Sequence, residues 1–239
     1  MTTSAVWRAQ KFVPTVAIVD GGWSGASGDS RVAGRVRVFP SGRCIQQAFD
    51  VDSDRTGHGT LCGRIILELC PASRIVPIQV LDRNLVGSIE QLVAAIGWCY
   101  RYRIDVVCLP LATVVPEHLT YLVEPFERLA DAGTICVAAA SNANGLGLPA
   151  CLPSVIGVQA ERSNAHVGLR PLFDGGIDYS VCGELDRVGH LFEKTGFSFR
   201  SNSFAAAQVA GVSARFMARA GKMTAAEVRS ALDQFCLGA

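Results

Sequence analysis

The sequence predicts an α/β fold, with a central, mostly parallel β-sheet and helices on both of its faces. Two observations support this prediction. Short β-branched runs alternate with helical patterns, and the runs are nearly continuously apolar, which is typical of strands buried on both faces of a parallel sheet. Helices that connect parallel strands form right-handed crossovers and cover the sheet. The predicted strands are residues 15–19, 35–39, 74–80, 104–109, 134–139 and 155–159.

Five segments have helical patterns, and two of them carry a clear start signal. Ser88 with Gln91, and Thr224 with Glu227, have the spacing of a capping box. Residues 187–200 are predicted to form a β-hairpin just before the fourth helix. The predicted helices are residues 58–69, 88–102, 117–132, 203–220 and 225–235.

Composition indicates a globular protein and excludes several functional classes. Apolar residues make up 49% of the chain and charged residues 18%, which argues against disorder. The net charge of +1, without a basic run, predicts no nucleic-acid binding. The apolar runs are too short to span a bilayer, so no membrane association is expected. No repeat or linker is present, and we expect one domain over residues 1–239.

The cysteines and the N-terminus predict a cytoplasmic protein. The first residues lack the basic start, apolar stretch and small-residue cleavage site of a secretory signal. Nine cysteines are spread along the chain without a C-x-x-C pair, which fits a reducing compartment better than a disulfide framework. No two potential ligands have zinc-finger or zinc-ribbon spacing. We therefore expect no metal and no cofactor.

Four polar residues lie where an α/β sheet usually carries function, at the carboxyl ends of strands or the starts of helices. Asp20 follows the apolar run VAIV, and Asn142 follows the run TICVAAAS. His58 begins a predicted helix within the sequence TGHGT, and Ser203 begins a helix of small residues. Each has an ordinary alternative, since Asp and Asn are common in turns and Ser is a common N-cap. Their occurrence together in this order favours a catalytic site.

These motifs resemble those of the subtilisin-like (subtilase) family along nearly the whole chain. VAIVDGG is similar to the family's Asp motif, GHGTLCG to its His motif, VAAASNANG to its oxyanion segment and SNSFAAAQVAG to its nucleophile motif. The resemblance implies a subtilisin-like three-layer fold and a serine endopeptidase. In it, Ser203 would be the nucleophile, His58 the general base and Asp20 the residue that orients His58. Asn142 and the backbone N–H of Ser203 would form the oxyanion hole.

The sequence departs from the family pattern near the nucleophile and in the substrate cleft. Ser201 and Asn202 replace the usual Gly-Thr, and Ala207 replaces a Pro. LPLAT (109–113) replaces S-L-G-G, and Pro110 in the Ser position would alter one backbone pairing with substrate. We expect a pocket for an apolar or small side chain, lined by Leu111, Ala112, Ala139, Ala140 and Gly147.

Two features of subtilases are expected to be missing. Asp20 is preceded by 19 residues, too few for a folding prodomain, and the segment after the first helix lacks the calcium loop of many members. The acidic stretch 50–54 fails the EF-hand pattern because Arg55 stands where Gly is required. It is predicted to be a solvated loop, with an alternative role in favouring basic substrate residues. Cys62 lies one helical turn after His58 and is predicted to pack in the core rather than to take part in the chemistry.

The predicted function is an endopeptidase of narrow specificity that matures a precursor peptide or protein. A prodomain-free cytoplasmic protease of broad specificity would endanger its host, so we expect a narrow substrate range. The shape of the groove, and a partner protein that holds the precursor, would set this specificity. The compact form resembles bacterial proteases that remove leader peptides, such as the one that trims the small subunit of quinohemoprotein amine dehydrogenase. The alternatives are a peptide-binding pseudoprotease and a transpeptidase that cyclises a peptide; macrocyclising relatives carry an extra helical insertion that this sequence lacks.

Overall fold

A central sheet organises the molecule. The computed structural model describes residues 12–25, 29–47, 54–142, 147–161, 168–183, 185, 188–193, 195–198 and 200–237. Within them the sheet has nine strands in the order β3-β2-β4-β1-β5-β6-β7-β9-β8. All neighbours are parallel except the β2–β3 and β8–β9 pairs at the two edges. The strands are β1 (Thr15–Asp20), β2 (Arg35–Val38), β3 (Cys44–Gln47), β4 (Arg74–Gln79), β5 (Val106–Leu109), β6 (Ile135–Ala139), β7 (Ile156–Glu161), β8 (Gly168–Asp174) and β9 (Ile177–Cys182).

All six predicted strands are confirmed, but the hairpin was predicted in the wrong place. The hairpin is formed by β8 and β9, and Gly175 and Gly176 at its turn both have positive φ angles. The described residues of the predicted hairpin, 187–200, instead include a 3₁₀ helix at Val188–Leu191 and turns. The edge strand β3 was also missed, because a short polar edge strand carries little hydrophobic pattern.

Among the described residues, five α-helices cover the sheet, as predicted. Ser88 and Gln91 form a complete capping box, and Thr224 and Glu227 exchange the matching hydrogen bonds at the start of the last helix. None of the described helices is long and apolar enough to cross a membrane. The helices are α1 (His58–Leu69), α2 (Ile89–Arg101), α3 (Leu119–Asp131), α4 (Asn202–Ala220) and α5 (Ala225–Leu237).

The two faces of the sheet bury separate apolar cores, which gives three layers. Side chains alternate along β1, so that Val16 and Ile18 belong to the core under α1, α4 and α5. Ala17 and Val19 belong to the core under α2 and α3. The predicted three-layer α/β fold, with helices on both faces, is therefore confirmed.

The parallel strands bring their carboxyl ends to one edge of the sheet. β1 pairs in parallel with β4 and β5, and β5 pairs in parallel with β6. Asp20 ends β1, while Pro110 directly follows β5 and Ala140 follows β6. On the α1 side, a Cβ at Gly211 would lie 2.9 Å from Cβ of Leu69, so glycine is needed for the close packing of α4 against α1. This arrangement places distant polar segments around one rim.

Candidate active site

Asp20 and His58 form a buried hydrogen-bonded pair at this rim. Oδ2 of Asp20 lies 2.9 Å from Nδ1 of His58, and the backbone N–H of Gly21 donates to Oδ1 of Asp20 at 2.6 Å. Asp20 is fully buried and His58 is 8% exposed. Burial disfavours the imidazolium, but the hydrogen bond and charge of Asp20, together with the charge of Asp54, outweigh it and raise the pKa of His58. The imidazole is thus oriented and made more basic.

Two glycines of α1 allow the helix to approach the loop that follows β1. A Cβ on Gly59 would lie 2.8 Å from the carbonyl oxygen of Gly22 and 3.0 Å from Oδ1 of Asp20. A Cβ on Gly63 would overlap the buried ring of Trp23. The small residues of the His motif therefore determine how closely His58 can approach Asp20.

Asp54 corrects the prediction of a solvated acidic loop. Residues 50–53 lie outside the described residues, but Asp54 is buried. Its carboxylate accepts from the N–H of Gly57 (2.9 Å), the hydroxyl of Thr56 (3.1 Å), and the N–H and hydroxyl of Thr60 (both 2.7 Å). Its charge is therefore engaged by the turn that leads into His58, and a role in attracting basic substrate residues is not supported. The Asp-x-Thr spacing, which is typical of local side-chain turns, could have indicated this.

Ser203 is the second residue of α4 and is not the N-cap. The N-cap is Ser201, and among the described residues its side chain makes no capping hydrogen bond to α4. The hydroxyl of Ser203 donates to the carbonyl oxygen of Pro110 at 3.0 Å, and none of the described hydrogen bonds joins it to His58. Hydrogen bonds between catalytic groups are often formed fully only in the substrate complex.

The structure brings the predicted residues to one cleft. His58, Ser203 and Asn142 all line a cavity of about 690 Å³, and Asp20 lies directly behind His58. Asn142 is exposed, so its amide is accessible from the cleft. Such a volume is within the range of about 300–1,000 Å³ for ligand pockets. The arrangement can support nucleophilic attack by a serine hydroxyl with a histidine base.

Two phenylalanines surround the imidazole. The ring of Phe204 lies with its centroid 5.2 Å from that of His58, and the ring of Phe197 lies edge-on at 5.8 Å. Phe197 and Phe204 also contact each other edge-on and both line the cleft. Their apolar surface restricts the directions in which the imidazole can rotate. Phe197 was not predicted to lie near the site, because it belongs to the segment that was predicted to be a hairpin.

Of the five residues predicted to line a specificity pocket, the structure places two in the cleft. Leu111 and Ala112 line the cleft, whereas Ala139, Ala140 and Gly147 do not. Ala139 and Ala140 are buried in the two cores of the sheet, and Gly147 is packed against Ser141. The aliphatic wall comes instead from the segment after β4 and the start of α2. It comprises Val80, Leu81, Leu85, Val86, Ile89 and Leu92.

Asn202 is a second residue near the site, and its hydrogen bonds were not predicted from the sequence. Its side chain accepts from the N–H of Ala160 at 2.8 Å and donates to the carbonyl oxygens of Ala140 (3.0 Å) and Ser141 (3.2 Å). The start of α4 is therefore bonded to the segments that follow β6 and end β7. The departure from Gly-Thr was recognised in the sequence, but these long-range partners were not.

The cysteines near the site are packed and protonated. Cys62 and Cys108 are fully buried, and burial raises the pKa of each thiol, with a further contribution from the nearby charge of Asp20. Among the described residues, no three His, Cys, Asp or Glu side chains are grouped so that they could hold a metal ion.

The chain is similar in sequence to known proteases. The family model described as "Subtilase family" matches residues 46–234, a region that contains His58, Asn142 and Ser203. The thermostable alkaline protease of Halalkalibacterium halodurans is 26% identical over 231 residues, covering 92% of this chain. The minor extracellular protease Epr of Bacillus subtilis is 29% identical over 142 residues, covering 54% of this chain. The aligned regions are 61% and 22% of the lengths of these two relatives.

Solved structures show the same fold at low sequence identity. A lanthipeptide protease superimposes with a TM-score of 0.66 at 18% identity, covering 91% of this chain and 78% of its own. A cold-adapted subtilisin-like serine proteinase superimposes with a TM-score of 0.66 at 19% identity, covering 93% and 82%. The nine-stranded sheet with its five helices is thus subtilisin-like. Because the family model matches most of the sequence, the chain belongs to the subtilase family.

Proposed function

We propose that this protein is a serine endopeptidase in which Asp20, His58 and Ser203 form the catalytic triad. The observation that carries the proposal is the 2.9 Å hydrogen bond between Asp20 and His58 at the rim of the cleft that also contains Ser203. A carboxylate on Nδ1 leaves Nε2 of the imidazole to serve as the base. Family membership supports the same conclusion.

Catalysis would proceed through an acyl-enzyme. The hydroxyl of Ser203 turns from the carbonyl of Pro110 toward His58 and attacks the peptide carbonyl carbon, while His58 takes its proton. The resulting C–O bond replaces the C–N bond as His58 returns the proton to the leaving amine. Water then attacks the ester carbonyl with His58 as base, and His58 passes the proton to the oxygen of Ser203 as the ester C–O bond breaks. The carboxylic acid product and free Ser203 are released.

Asn142 would stabilise the oxyanion formed in both steps. Its side chain lines the same cleft as Ser203. The backbone N–H of Ser203 lies in the first turn of α4, where N–H groups have no acceptor within the helix. An amide N–H and a backbone N–H that both point at the developing negative charge form an oxyanion hole. Removal of one such donor lowers kcat by about 100- to 1,000-fold in comparable enzymes.

The cleft favours an extended substrate with aliphatic side chains. Its wall of valine, leucine and isoleucine side chains lines the same cleft as Leu111. We infer leader removal from one precursor, held in place by a partner protein, as the biological role. The similarity in fold to a protein named as a lanthipeptide protease supports precursor processing. A cytoplasmic location is also proposed, because nine cysteines without a C-x-x-C pair fit a reducing compartment better than a disulfide framework.

Covalent labelling with a fluorophosphonate probe tests the enzymatic proposal. The wild-type chain should be labelled on Ser203, whereas Ser203→Ala and His58→Ala should lose labelling. Ser30→Ala, a change at an exposed serine in a turn, is the matched control and should label normally. Absence of labelling in the folded wild-type protein, with its candidate precursor and partner present, would refute the proposal.

A peptide-binding protein without catalytic activity is the second candidate. The hydrogen bond from Ser203 to Pro110, rather than to His58, is the observation that favours it. Ser203→Ala discriminates between the two, because a binding protein would keep its biological effect and a protease would lose it. Mass spectrometry of the product separates hydrolysis from transpeptidation, since a cyclic product would identify the latter.

A further inference from the structure

The side chain of Asn202 makes hydrogen bonds to three backbone groups from two other segments. The N–H of Ala160, near the end of β7, can only donate, and it therefore faces Oδ1 at 2.8 Å. The carbonyl oxygens of Ala140 and Ser141 can only accept, and they face Nδ2 at 3.0 and 3.2 Å. These partners determine the orientation of the amide.

The position of Asn202 in the chain connects these bonds to the proposed chemistry. Asn202 is adjacent to Ser203, and Ser141 is adjacent to Asn142. A single side chain therefore joins the residue before the proposed nucleophile to the residue before the proposed oxyanion donor. A threonine, the family residue expected here from the resemblance, has one hydroxyl on a shorter side chain and cannot reproduce all three bonds.

We propose that Asn202 is a positioning residue that fixes the distance between Ser203 and Asn142, and thereby the geometry of the oxyanion hole. The inference rests on the proposed function. It also gives a physical role to the departure from Gly-Thr, since the bonded amide ties the start of α4 to the segment after β6. Asn202 does not line the cleft and would act on substrate only through its neighbours.

The proposed role predicts a loss in the chemical step rather than in substrate binding. An oxyanion donor interacts most strongly with the transition state, so its displacement lowers kcat while KM changes little. A misplacement of about 1 Å can lower the rate by about 100-fold. Asn202→Asp keeps the size of the side chain and its acceptor for Ala160, but it places a carboxylate oxygen against the carbonyls of Ala140 and Ser141. Asn202→Thr removes the amide without adding charge.

The test is a double-mutant cycle with Asn142→Ala. If Asn202 acts through Asn142, Asn202→Asp and Asn202→Thr should each lower kcat about 10- to 100-fold in the wild-type background. In the Asn142→Ala background the further loss should be less than about threefold, since the donor is already absent. Gln234→Glu, which makes the same amide-to-carboxylate change at an exposed position of α5, is the control and should keep wild-type kcat.

Amide hydrogen exchange separates this inference from the proposed function. Asn202→Thr, which removes the amide, should reduce the protection of the Ala160 N–H whether or not the protein cleaves peptides. Asn202→Asp keeps an acceptor for this N–H and should retain its protection. Wild-type kcat in both Asn202 variants, or losses that multiply fully with Asn142→Ala, would overturn the positioning role. A wild-type protein that fluorophosphonate does not label would refute the proposed function instead, while the exchange result would still report on the bonds of Asn202.

Discussion

The carboxylate of Asp54 accepts two hydrogen bonds of 2.7 Å from Thr60, one from its N–H and one from its hydroxyl. The hydroxyl of Thr60 in turn accepts from the N–H of Ser24, in the loop after β1. Asp54 thereby links the first turn of α1 to the segment that follows Asp20. Burying a carboxylate is costly unless hydrogen bonds compensate for the loss of water, so Asp54 needs these bonds to remain buried.

Asp54→Asn should lower the pKa of His58. The nearby negative charges of Asp20 and Asp54 favour the imidazolium, and Asp54→Asn removes one of them. Cys62 and Cys108, which lie beneath the pair, have raised pKa values and stay neutral. The acid limb of the pH profile of kcat/KM should therefore move to lower pH, and NMR titration of His58 should show the same direction.

Asp29→Asn is the control for this prediction. Asp29 pairs with Arg31 at the surface and is not among the groups that shift the pKa of His58. Its removal should leave the acid limb in place. An unchanged His58 titration in folded Asp54→Asn would contradict the electrostatic role of Asp54.

His58 should make stability depend on pH in a defined direction. Its folded-state pKa is raised above the ordinary value of 6.5, so protonation favours the folded state. The contribution is fully present below about pH 6.5, the unfolded pKa, and is lost as pH rises through the folded pKa. Urea unfolding of wild type and His58→Gln between pH 5 and about 9 measures it. A stability difference that does not decline with rising pH would contradict the raised pKa.

Gly59→Ala should destabilise the protein and abolish labelling of Ser203. The added Cβ would lie 2.8 Å from the carbonyl of Gly22 and 3.0 Å from Asp20, so α1 must move away from β1. We expect a loss of about 1–3 kcal/mol in the free energy of unfolding, the usual cost of overpacking. Denaturant titration and fluorophosphonate labelling provide the two measurements.

Gly97→Ala is the matched substitution for Gly59→Ala. Gly97 is exposed in the middle of α2, and nothing lies within 4 Å of its added Cβ. Alanine there should stabilise the protein by about 0.5–1 kcal/mol, because it is the better helix former. Equal effects of the two substitutions would show that the packing argument at Gly59 is wrong.

Val86→Lys should weaken the binding of substrates with aliphatic side chains. Val86 is 64% exposed on the wall of the cleft, so the substitution should leave the fold intact. Loss of apolar contact in the ground and transition states alike raises KM with little change in kcat. We expect an increase in KM of about tenfold, equivalent to about 1.4 kcal/mol.

Val13→Lys is the control for the cleft. Val13 is 45% exposed and precedes the amino end of β1, at the opposite edge of the sheet from the proposed catalytic residues. Kinetics on peptides that differ in one aliphatic residue should show no change in this variant. If Val86→Lys also leaves KM unchanged for all of them, the aliphatic wall does not bind substrate.

The sequence by itself determined the fold class, six of the nine described strands, the five described helices and the motifs that contain His58 and Ser203. These features are encoded locally, because the apolar periodicity, capping residues and glycines act within a few positions of each other. The end of a parallel strand can be located from such a pattern, and Asp20 was located in this way.

The tertiary structure decided which distant groups meet. The three bonds of Asn202, the position of Ala139 and Ala140 in the cores and the aliphatic wall from the β4–α2 segment all depend on contacts between separate parts of the chain. Side-chain hydrogen bonds and cavity surfaces form between backbone groups that only folding brings together, and no local pattern specifies their partners. Sequence periodicity therefore predicted the scaffold, and packing of the scaffold defined the site.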